Sequence, residues 1–249
     1  MARPSTTRKK GKSVPKKKKL SLRGIDAVIL AGGLGTRLRS VVADRPKVLA
    51  EVGGKPFLDI IVGDLKARGV SKIILSVGHL RNHIKKHYMG KKVFFAEEEN
   101  PLGTGGGVKN AERFVTSENF LAMNGDSVIA GGVDFGALCS FHEDKKALLT
   151  IVLAKPRSEK DYGAAFVDSE GKIVRYNEKK GEKKGHLMNA GVYLMRKEIF
   201  ASMPQEPFSL EEHFFPSLVG GEFYGFVVDK DVLDIGTPER YNSAKTYYS

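Results

Sequence analysis

The sequence predicts an α/β fold, in which a mostly parallel sheet carries helices on both faces and a smaller antiparallel extension follows. Two observations predict this class. Between residues 25 and 153, short apolar runs alternate with amphipathic stretches at helical spacing, which is typical of repeated β-α-β units. After about residue 155, shorter strand patterns are separated by turn residues such as those at 168–171, which favours antiparallel hairpins.

The predicted elements can be given in chain order. Strands are predicted at 25–30, 72–77, 92–96, 119–123, 147–153, 164–167, 173–176 and 187–194. Helices are predicted at 57–68, 80–88, 105–114, 135–143, 210–218 and 238–245. In parallel sheets of this class, binding sites lie beyond the carboxyl ends of the strands. The loops that follow the predicted strands are therefore the first candidates for a functional site.

The basic charge is concentrated at the N-terminus. The 249 residues carry a formal net charge of +12, but residues 1–23 contain ten lysines and arginines and no acidic residue. Residues 24–249 hold 31 basic and 29 acidic side chains and are predicted to form a single, nearly neutral domain. Residues 1–23 are predicted to be a disordered basic tail. The tail is either a solvated extension or a segment that binds nucleic acid, anionic lipid or an acidic partner.

The composition excludes several kinds of site. Cys139 is the only cysteine, so neither a disulfide framework nor a cysteine-based zinc site is possible. No apolar run approaches the length of a transmembrane helix, so no membrane partner is expected. The cysteine usage fits a reducing compartment, and the predicted location is cytoplasmic. The sequence does not predict the oligomeric state.

The stretch after the first strand holds three glycines in four positions, Gly32, Gly33 and Gly35, followed by Thr36 and Arg37. Glycine permits a close approach of the backbone, and successive free N–H groups form a nest for oxyanions. The arginine adds a fixed positive fork. No Gly-Lys-Ser/Thr closes this glycine loop, so it is not a Walker A loop. A leucine stands where the dinucleotide fingerprint needs a third small residue, so that motif is incomplete as well.

What residues 30–38 do match is Leu-x-Gly-Gly-x-Gly-Thr-Arg-Leu, with Pro46-Lys47 nine residues after Arg37. This signature resembles that of the nucleotidyltransferases that activate sugar 1-phosphates, which have a Rossmann-like fold. The resemblance extends over residues 25–245, with further matching motifs at 102–106, 124–126, 162–163, 178–179, 189–191 and 234–238. Within that family, residues 33–42, 54–58 and 208–211 look most like those of the D-glycero-α-D-manno-heptose 1-phosphate guanylyltransferases.

The resemblance implies a role for each matching residue. The implied catalytic residues are Arg37, Lys47 and Asp126. The implied nucleotide-binding residues are Leu30, Ala31, Gly32, Gly33, Gly35, Thr36, Arg37, Lys47, Gly103, Thr104, Gly105, Asn124 and Gly125. The implied sugar-phosphate-binding residues are Gly163, Glu178, Lys179, Asn189 and Gly191. Mg²⁺ is implied at Asp126 and Asp234, with a nucleotide-binding half at about 24–155 and a sugar-binding half at about 156–249.

The implied substrates are a nucleoside triphosphate, GTP in the first place, and a sugar 1-phosphate. An oxygen of the sugar phosphate attacks the α-phosphorus in line, and pyrophosphate leaves. Because two polyanions must be brought together, the protein mainly positions and neutralises them. A phosphate nucleophile is already ionised near neutral pH, so no general base is required.

Several alternatives stay open. The same reaction can act on mannose, glucose or N-acetylhexosamine or muramate 1-phosphate, with GTP, CTP or UTP. A non-catalytic nucleotide-sugar sensor would have the same fold. Asp126 and Asp234 can instead cap a turn or a helix, and residues 178–179 can be the tip of a solvated hairpin. Nucleic acid is expected as a partner only through the basic tail.

Overall fold

The computed structural model describes residues 21–38, 40–42, 44–156, 164–177 and 186–249. The strands are β1 Asp26–Leu30, β2 Glu51–Val52, β3 Lys55–Pro56, β4 Ile73–Val77, β5 Phe94–Glu97, β6 Asn119–Asn124, β7 Ser127–Ile129, β8 Leu149–Ala154, β9 Ala164–Val167, β10 Ile173–Asn177, β11 Leu187–Arg196, β12 Phe223–Val228 and β13 Val232–Asp234. The helices are α1 Phe57–Ala67, α2 Arg81–His87, α3 Gly103–Asn110, α4 Phe135–Asp144, α5 Phe215–Ser217 and α6 Pro238–Tyr248.

A nine-stranded mixed sheet forms the centre of the molecule, with the order β10-β9-β11-β6-β1-β4-β5; off this path, β8 pairs with β11 and β12 pairs with β8. Strands β6, β1, β4 and β5 run parallel to one another, and β12 runs parallel to β8. Strand β11 is antiparallel to β6, β8 and β9. The predicted antiparallel strands therefore join the same sheet through β11 instead of forming a separate layer.

The core lies on both faces of this sheet, because successive side chains of a strand point to opposite sides. In β1, Ala27 and Ile29 belong to one buried cluster and Val28 to the other. In β11, Val192 and Tyr193 divide between the two clusters in the same way. Helices α1, α2, α4 and α6 cover the first cluster, and α3 and α5 cover the second. The predicted fold class, with helices on both faces, is confirmed.

Two helix boundaries follow the signals in the sequence. Helix α1 ends before Gly69, which has a φ of +83° and whose N–H donates to the carbonyl of Lys66. Helix α6 begins with Pro238 at its first position, and the Thr237 side chain accepts a hydrogen bond from the Arg240 N–H at 3.4 Å. This start fixes the segment just after β13, which carries one of the predicted metal ligands.

Strands β7 and β13 form a small second sheet. Asp234 pairs with Ser127 across these strands, and the Ile235 N–H donates to the Asp126 carbonyl at 3.0 Å. These two strands are only three residues long, so no alternating pattern predicted them. They bring together two aspartates that are more than a hundred residues apart in the chain.

Several elements differ from the prediction in extent. The helix predicted at 105–114 begins at Gly103 and ends at Asn110, and a separate 3₁₀ turn, Glu112–Phe114, follows it. The helix predicted at 210–218 is a π-helical turn, Leu210–Phe214, that continues into α5. None of the helices in the described part of the chain has both the length and the apolar character that a membrane span requires.

Candidate active site

Two adjoining cavities open at the carboxyl ends of the parallel strands. The first cavity has a volume of about 300 Å³ and lies between the glycine loop, the start of α3 and the residues after β5 and β6. The second cavity has a volume of about 310 Å³ and lies between β7, β11, β13 and α6. Thr104, Asn124 and Asp126 line both, so the cavities meet at these residues.

Most of the predicted nucleotide-binding residues line the first cavity. They are Leu30, Ala31, Gly32, Gly33, Lys47, Gly103, Thr104 and Asn124, together with Asp126. Arg37 lines the second cavity, next to Asp234 and Arg240. It stands in a short 3₁₀ turn, Thr36–Leu38, which is anchored by the fully buried Leu38. Arg37 therefore lies at the second cavity and not at the first.

Three predicted nucleotide-binding glycines have a packing role in this structure and do not line the first cavity. A Cβ on Gly105 would come within 2.1 Å of the Phe208 ring, and one on Gly125 within 2.5 Å of the Leu30 carbonyl oxygen. Gly35 has a φ of +62° and lies against the Lys47 side chain. These glycines allow close packing or a tight turn beside the cavity, and their nucleotide contacts stay predictions.

Lys47 and Asp126 form an ion pair through Nζ and Oδ2 at the junction of the two cavities. Lys47 opens a short 3₁₀ turn, Lys47–Leu49, whose Val48 and Leu49 side chains are buried. Because this turn is anchored in the core, the backbone of Lys47 is fixed, and its ammonium group is held by Asp126. It can therefore face a phosphate group that bridges the two cavities.

Asp234 lies beside Asp126 and is also held by a cation. Its Oδ2 accepts a hydrogen bond from Arg240 Nη1 at 2.8 Å, and its Oδ1 accepts one from the Gly236 N–H at 2.8 Å. Among the described residues, no three His, Cys, Asp or Glu side chains gather into a metal-binding group. The two aspartates nevertheless fit a hard cation that takes few protein ligands and completes its shell with phosphate oxygens and water.

Glu98 was not predicted, although it lines the first cavity. It is 9% exposed, and its carboxylate accepts hydrogen bonds from Ser76 Oγ at 2.7 Å and from the Leu102 N–H at 3.3 Å. Gly32 and Gly107 approach this carboxylate closely, which leaves no room for a Cβ at Gly107. Its position directly after β5 was the one sequence signal for a site residue. Glu98 is, however, one of three consecutive glutamates, and such a pattern indicates a solvated turn.

The predicted sugar-phosphate residues Asn189 and Gly191 both line the second cavity. Asn189 Nδ2 donates to the hydroxyls of Tyr176 and Tyr193 at 3.2 and 3.0 Å, and its Oδ1 accepts from the Gly191 N–H at 2.9 Å. Gly191 has a φ of +71°, which glycine adopts without strain. The amide of Asn189 is thus held rigidly at the cavity wall.

Other residues of this cavity were missed or lie outside the described residues. Glu211 lines it and was not predicted as a site residue. Two further wall atoms, Asn124 Oδ1 and Ser127 Oγ, are buried without a hydrogen-bond partner in the described part of the chain. A buried polar atom of this kind is costly unless a ligand or water satisfies it. The predicted Gly163, Glu178 and Lys179 lie outside the described residues, so their roles stay predictions.

Comparison with known proteins agrees with this geometry. The family model described as nucleotidyl transferase matches residues 26–249. The chain is 37% identical over 227 residues to D-glycero-α-D-manno-heptose 1-phosphate guanylyltransferase of Aneurinibacillus thermoaerophilus, covering 89% of this chain and 97% of the relative. It is 30% identical over 226 residues to mannose-1-phosphate guanylyltransferase of Mycobacterium tuberculosis, covering 87% of this chain and 62% of that relative.

A solved structure is also similar over nearly the whole fold. The crystal structure of HddC from Yersinia pseudotuberculosis complexed with GMP-PN superposes with a TM-score of 0.78 at 34% identity, covering 90% of this chain and 100% of that one. The resemblance predicted from the sequence motifs is confirmed by these matches. The chain belongs to the nucleotidyl transferase family.

Proposed function

We propose that the chain transfers a guanylyl group from GTP to D-glycero-α-D-manno-heptose 1-phosphate. A phosphate oxygen of the sugar 1-phosphate forms a bond to the α-phosphorus, and the bond from that phosphorus to the β-phosphate oxygen breaks. GDP-heptose and pyrophosphate are the products. The observation that carries the proposal is the junction of two cavities at the Lys47–Asp126 ion pair, where a nucleotide phosphate and a sugar phosphate can meet.

The roles of the residues follow from their positions. The backbone of Gly32 and Gly33 lines the first cavity and offers N–H groups to the triphosphate. Lys47 faces the α-phosphate and stabilises the charge that develops there. Arg37 neutralises phosphate oxygens at the second cavity, including those of the leaving pyrophosphate or of the sugar phosphate.

Glu98 supports guanine as the base. A carboxylate only accepts hydrogen bonds, so it pairs best with a base edge that presents two adjacent donors. Guanine presents N1–H and the N2 amino group side by side, whereas adenine, cytosine and uracil each place an acceptor next to a donor. The buried carboxylate of Glu98 at the wall of the first cavity therefore favours GTP over the other triphosphates.

Mg²⁺ belongs to this proposal, with Asp126 and Asp234 as its protein ligands. When bound there, Mg²⁺ supplies positive charge that neutralises the non-bridging phosphate oxygens. The residues themselves prepare this position, because the β7–β13 pairing and the bond from the Ile235 N–H to the Asp126 carbonyl hold the two backbones together, and the Gly236 N–H orients the carboxylate of Asp234. Lys47 and Arg240, which pair with these two carboxylates in the structure, would then be available to phosphate oxygens.

On the sugar side, Asn189 and the Gly191 turn bind hydroxyl groups of the heptose, and Glu178, Lys179 and Gly163 are proposed to complete that subsite. The orphaned Ser127 Oγ and Asn124 Oδ1 support a polar ligand in the second cavity. The division into a nucleotide-binding half and a sugar-binding half, the disordered basic tail and the cytoplasmic location remain predictions from the sequence.

A matrix of substrates tests this function. GTP, UTP, CTP and ATP are each incubated with Mg²⁺ and with heptose, mannose, glucose or N-acetylglucosamine 1-phosphate, and pyrophosphate release is measured. We expect the highest kcat/KM for GTP with D-glycero-α-D-manno-heptose 1-phosphate. Pyrophosphate release that is highest with another base would refute the assignment of Glu98.

Mannose 1-phosphate is the second candidate acceptor, since the mycobacterial relative with 30% identity is a mannose-1-phosphate guanylyltransferase. Higher turnover of mannose 1-phosphate than of the heptose phosphate in the same matrix would favour it. Nucleotide binding without pyrophosphate release for any pair would favour the non-catalytic sensor instead.

A further inference from the structure

We propose that Glu211 is a positioning residue that couples the two cavities, so that binding of one substrate raises the affinity for the other. The inference rests on the proposed function, because it assumes a nucleotide in the first cavity and a sugar phosphate in the second. Glu211 itself lines the second cavity, in the π-helical turn that precedes α5.

Three hydroxyl groups converge on the Glu211 carboxylate. Thr104 Oγ1 donates to Oε2 at 2.5 Å, Ser209 Oγ donates to the same oxygen at 3.0 Å, and the Tyr193 hydroxyl donates to Oε1 at 3.1 Å. Thr104 is one of the residues at which the cavities meet. One oxygen of the carboxylate thus holds Thr104 at the junction with the first cavity, and the other holds Tyr193, which contacts Asn189 of the second cavity.

The chain of hydrogen bonds continues from Tyr193 to Asn189 in the wall of the second cavity. The Tyr193 hydroxyl accepts a hydrogen bond from Asn189 Nδ2 at 3.0 Å while it donates to Glu211. Asn189 in turn orders the Gly191 turn through its Oδ1. A movement of Thr104 is therefore transmitted through Glu211 and Tyr193 to the side-chain amide that faces the sugar.

The central member of this chain of hydrogen bonds, Tyr193, has few alternative partners because it is buried. Tyr193 is completely buried, and burial raises the pKa of its hydroxyl well above the usual range, so the group stays a neutral donor. Thr104 Oγ1 is also fixed on its other side, since it accepts a hydrogen bond from the Leu210 N–H at 2.9 Å. Movement of Glu211 or Asn189 alone leaves the buried Tyr193 hydroxyl short of a partner, so these groups are expected to move together.

Coupling of this kind differs from simple support of the fold. If Glu211 only stabilises the turn at Ser209, its loss lowers the free energy of unfolding and weakens the binding of each substrate independently of the other. If it couples the cavities, its loss lowers the cooperativity between the substrates by a larger factor than the affinity for either one alone. The ratio of two dissociation constants separates these cases.

Calorimetry on the full chain measures that ratio. The probes are a GTP analogue with a methylene group between the α- and β-phosphorus atoms and D-glycero-α-D-manno-heptose 1-phosphate, with Mg²⁺ present. The coupling factor is the dissociation constant of the analogue alone divided by that with saturating sugar phosphate. We expect a factor of at least about 5 for the wild type and of less than about 2 for Glu211→Gln, whose NH₂ group would face a hydroxyl donor.

Glu212→Gln is the matched control, because it removes the same charge from an exposed neighbour and should keep the wild-type factor. Tyr193→Phe removes only the hydroxyl between Glu211 and Asn189 and should lower the coupling factor as Glu211→Gln does. It serves as the second test if Glu211→Gln does not fold. An unchanged factor in either folded variant, or a wild type without coupling, overturns the inference. Failure of the proposed function would appear differently, as a wild type that releases no pyrophosphate in the substrate matrix.

Discussion

The two cavities differ in how the chain builds them. Two short segments rich in glycine, residues 30–34 and the start of α3 at residues 103–104, form much of the wall of the first cavity, and glycine leaves the backbone there uncovered. The second cavity is lined by side chains from distant parts of the chain, among them Arg37, Asn189 and Asp234. A backbone wall suits a group that every substrate shares, such as the triphosphate, whereas side chains suit the part that varies, such as the sugar.

The junction of the cavities belongs to neither type. Lys47 and Asp126 are side chains, but each is fixed by backbone structure, Lys47 by its 3₁₀ turn and Asp126 by the bond of its carbonyl to the Ile235 N–H. The bond that is made and the bond that is broken both lie here in the proposed reaction. Changes at the junction should therefore affect turnover, whereas changes in one cavity should affect one substrate.

The largest effect is expected for Asp126→Asn. This change removes the charge partner of Lys47, and with it a proposed ligand of Mg²⁺, while it keeps the shape of the side chain. We expect kcat for pyrophosphate release to fall by roughly 10²–10³-fold, as is common when an electrostatic group of a reaction centre is lost. The variant Asp229→Asn removes the same charge from an exposed residue that lines neither cavity, and it should keep the wild-type rate. Full activity of Asp126→Asn would contradict the role of the junction.

A smaller and more selective effect is expected for Glu98→Gln. Replacing the carboxylate with an amide removes one acceptor from the base, and a hydrogen bond to a charged group contributes about 1.5–3 kcal/mol. We expect kcat/KM for GTP to fall by roughly 10–100-fold and the preference for GTP over UTP to fall with it.

The control for this prediction is Glu97→Gln. Glu97 pairs with Arg81 and Lys85 at the surface and should leave the base preference unchanged. A parallel loss for all four triphosphates in Glu98→Gln would show that Glu98 only holds Ser76 and the Leu102 N–H in place.

The contrast between a cavity built from contiguous segments and one built from distant residues explains what could be predicted from the sequence. The strands and helices of the first half, and the residues of the glycine loop, lie in contiguous patterns, so local periodicity and one motif located them. Asp234 and Asn189 were assigned only through resemblance to a family. Their proximity depends on β7–β13 pairing and on the insertion of β11 beside β6, which are long-range contacts that no local pattern contains.

Two site residues escaped prediction for physical reasons. Glu98 is one of three consecutive glutamates, and its burial arises from the close approach of Gly32 and Gly107, which lie in other segments. Glu211 stands in an apparently ordinary helix start after Ser209, and only the tertiary structure brings Thr104 and Tyr193 to its carboxylate. In both cases the partners, and not the residue itself, define the role.

The smallest effects concern two glycines that a motif cannot distinguish. Gly105 packs against the Phe208 ring, where a Cβ would come within 2.1 Å, whereas a Cβ on Gly33 meets no atom within 4 Å. Gly105→Ala should therefore lower the free energy of unfolding by about 1–3 kcal/mol through overpacking, with part of the loss offset by the better helix propensity of alanine.

Gly33→Ala should leave the free energy of unfolding within about 0.5 kcal/mol of the wild type, because its new methyl group projects into open space. Since Gly33 lines the first cavity, that methyl group should instead raise KM for GTP. Urea denaturation together with steady-state kinetics checks both variants. If Gly33→Ala lost stability and Gly105→Ala lost only nucleotide affinity, the division between packing glycines and cavity glycines would be reversed.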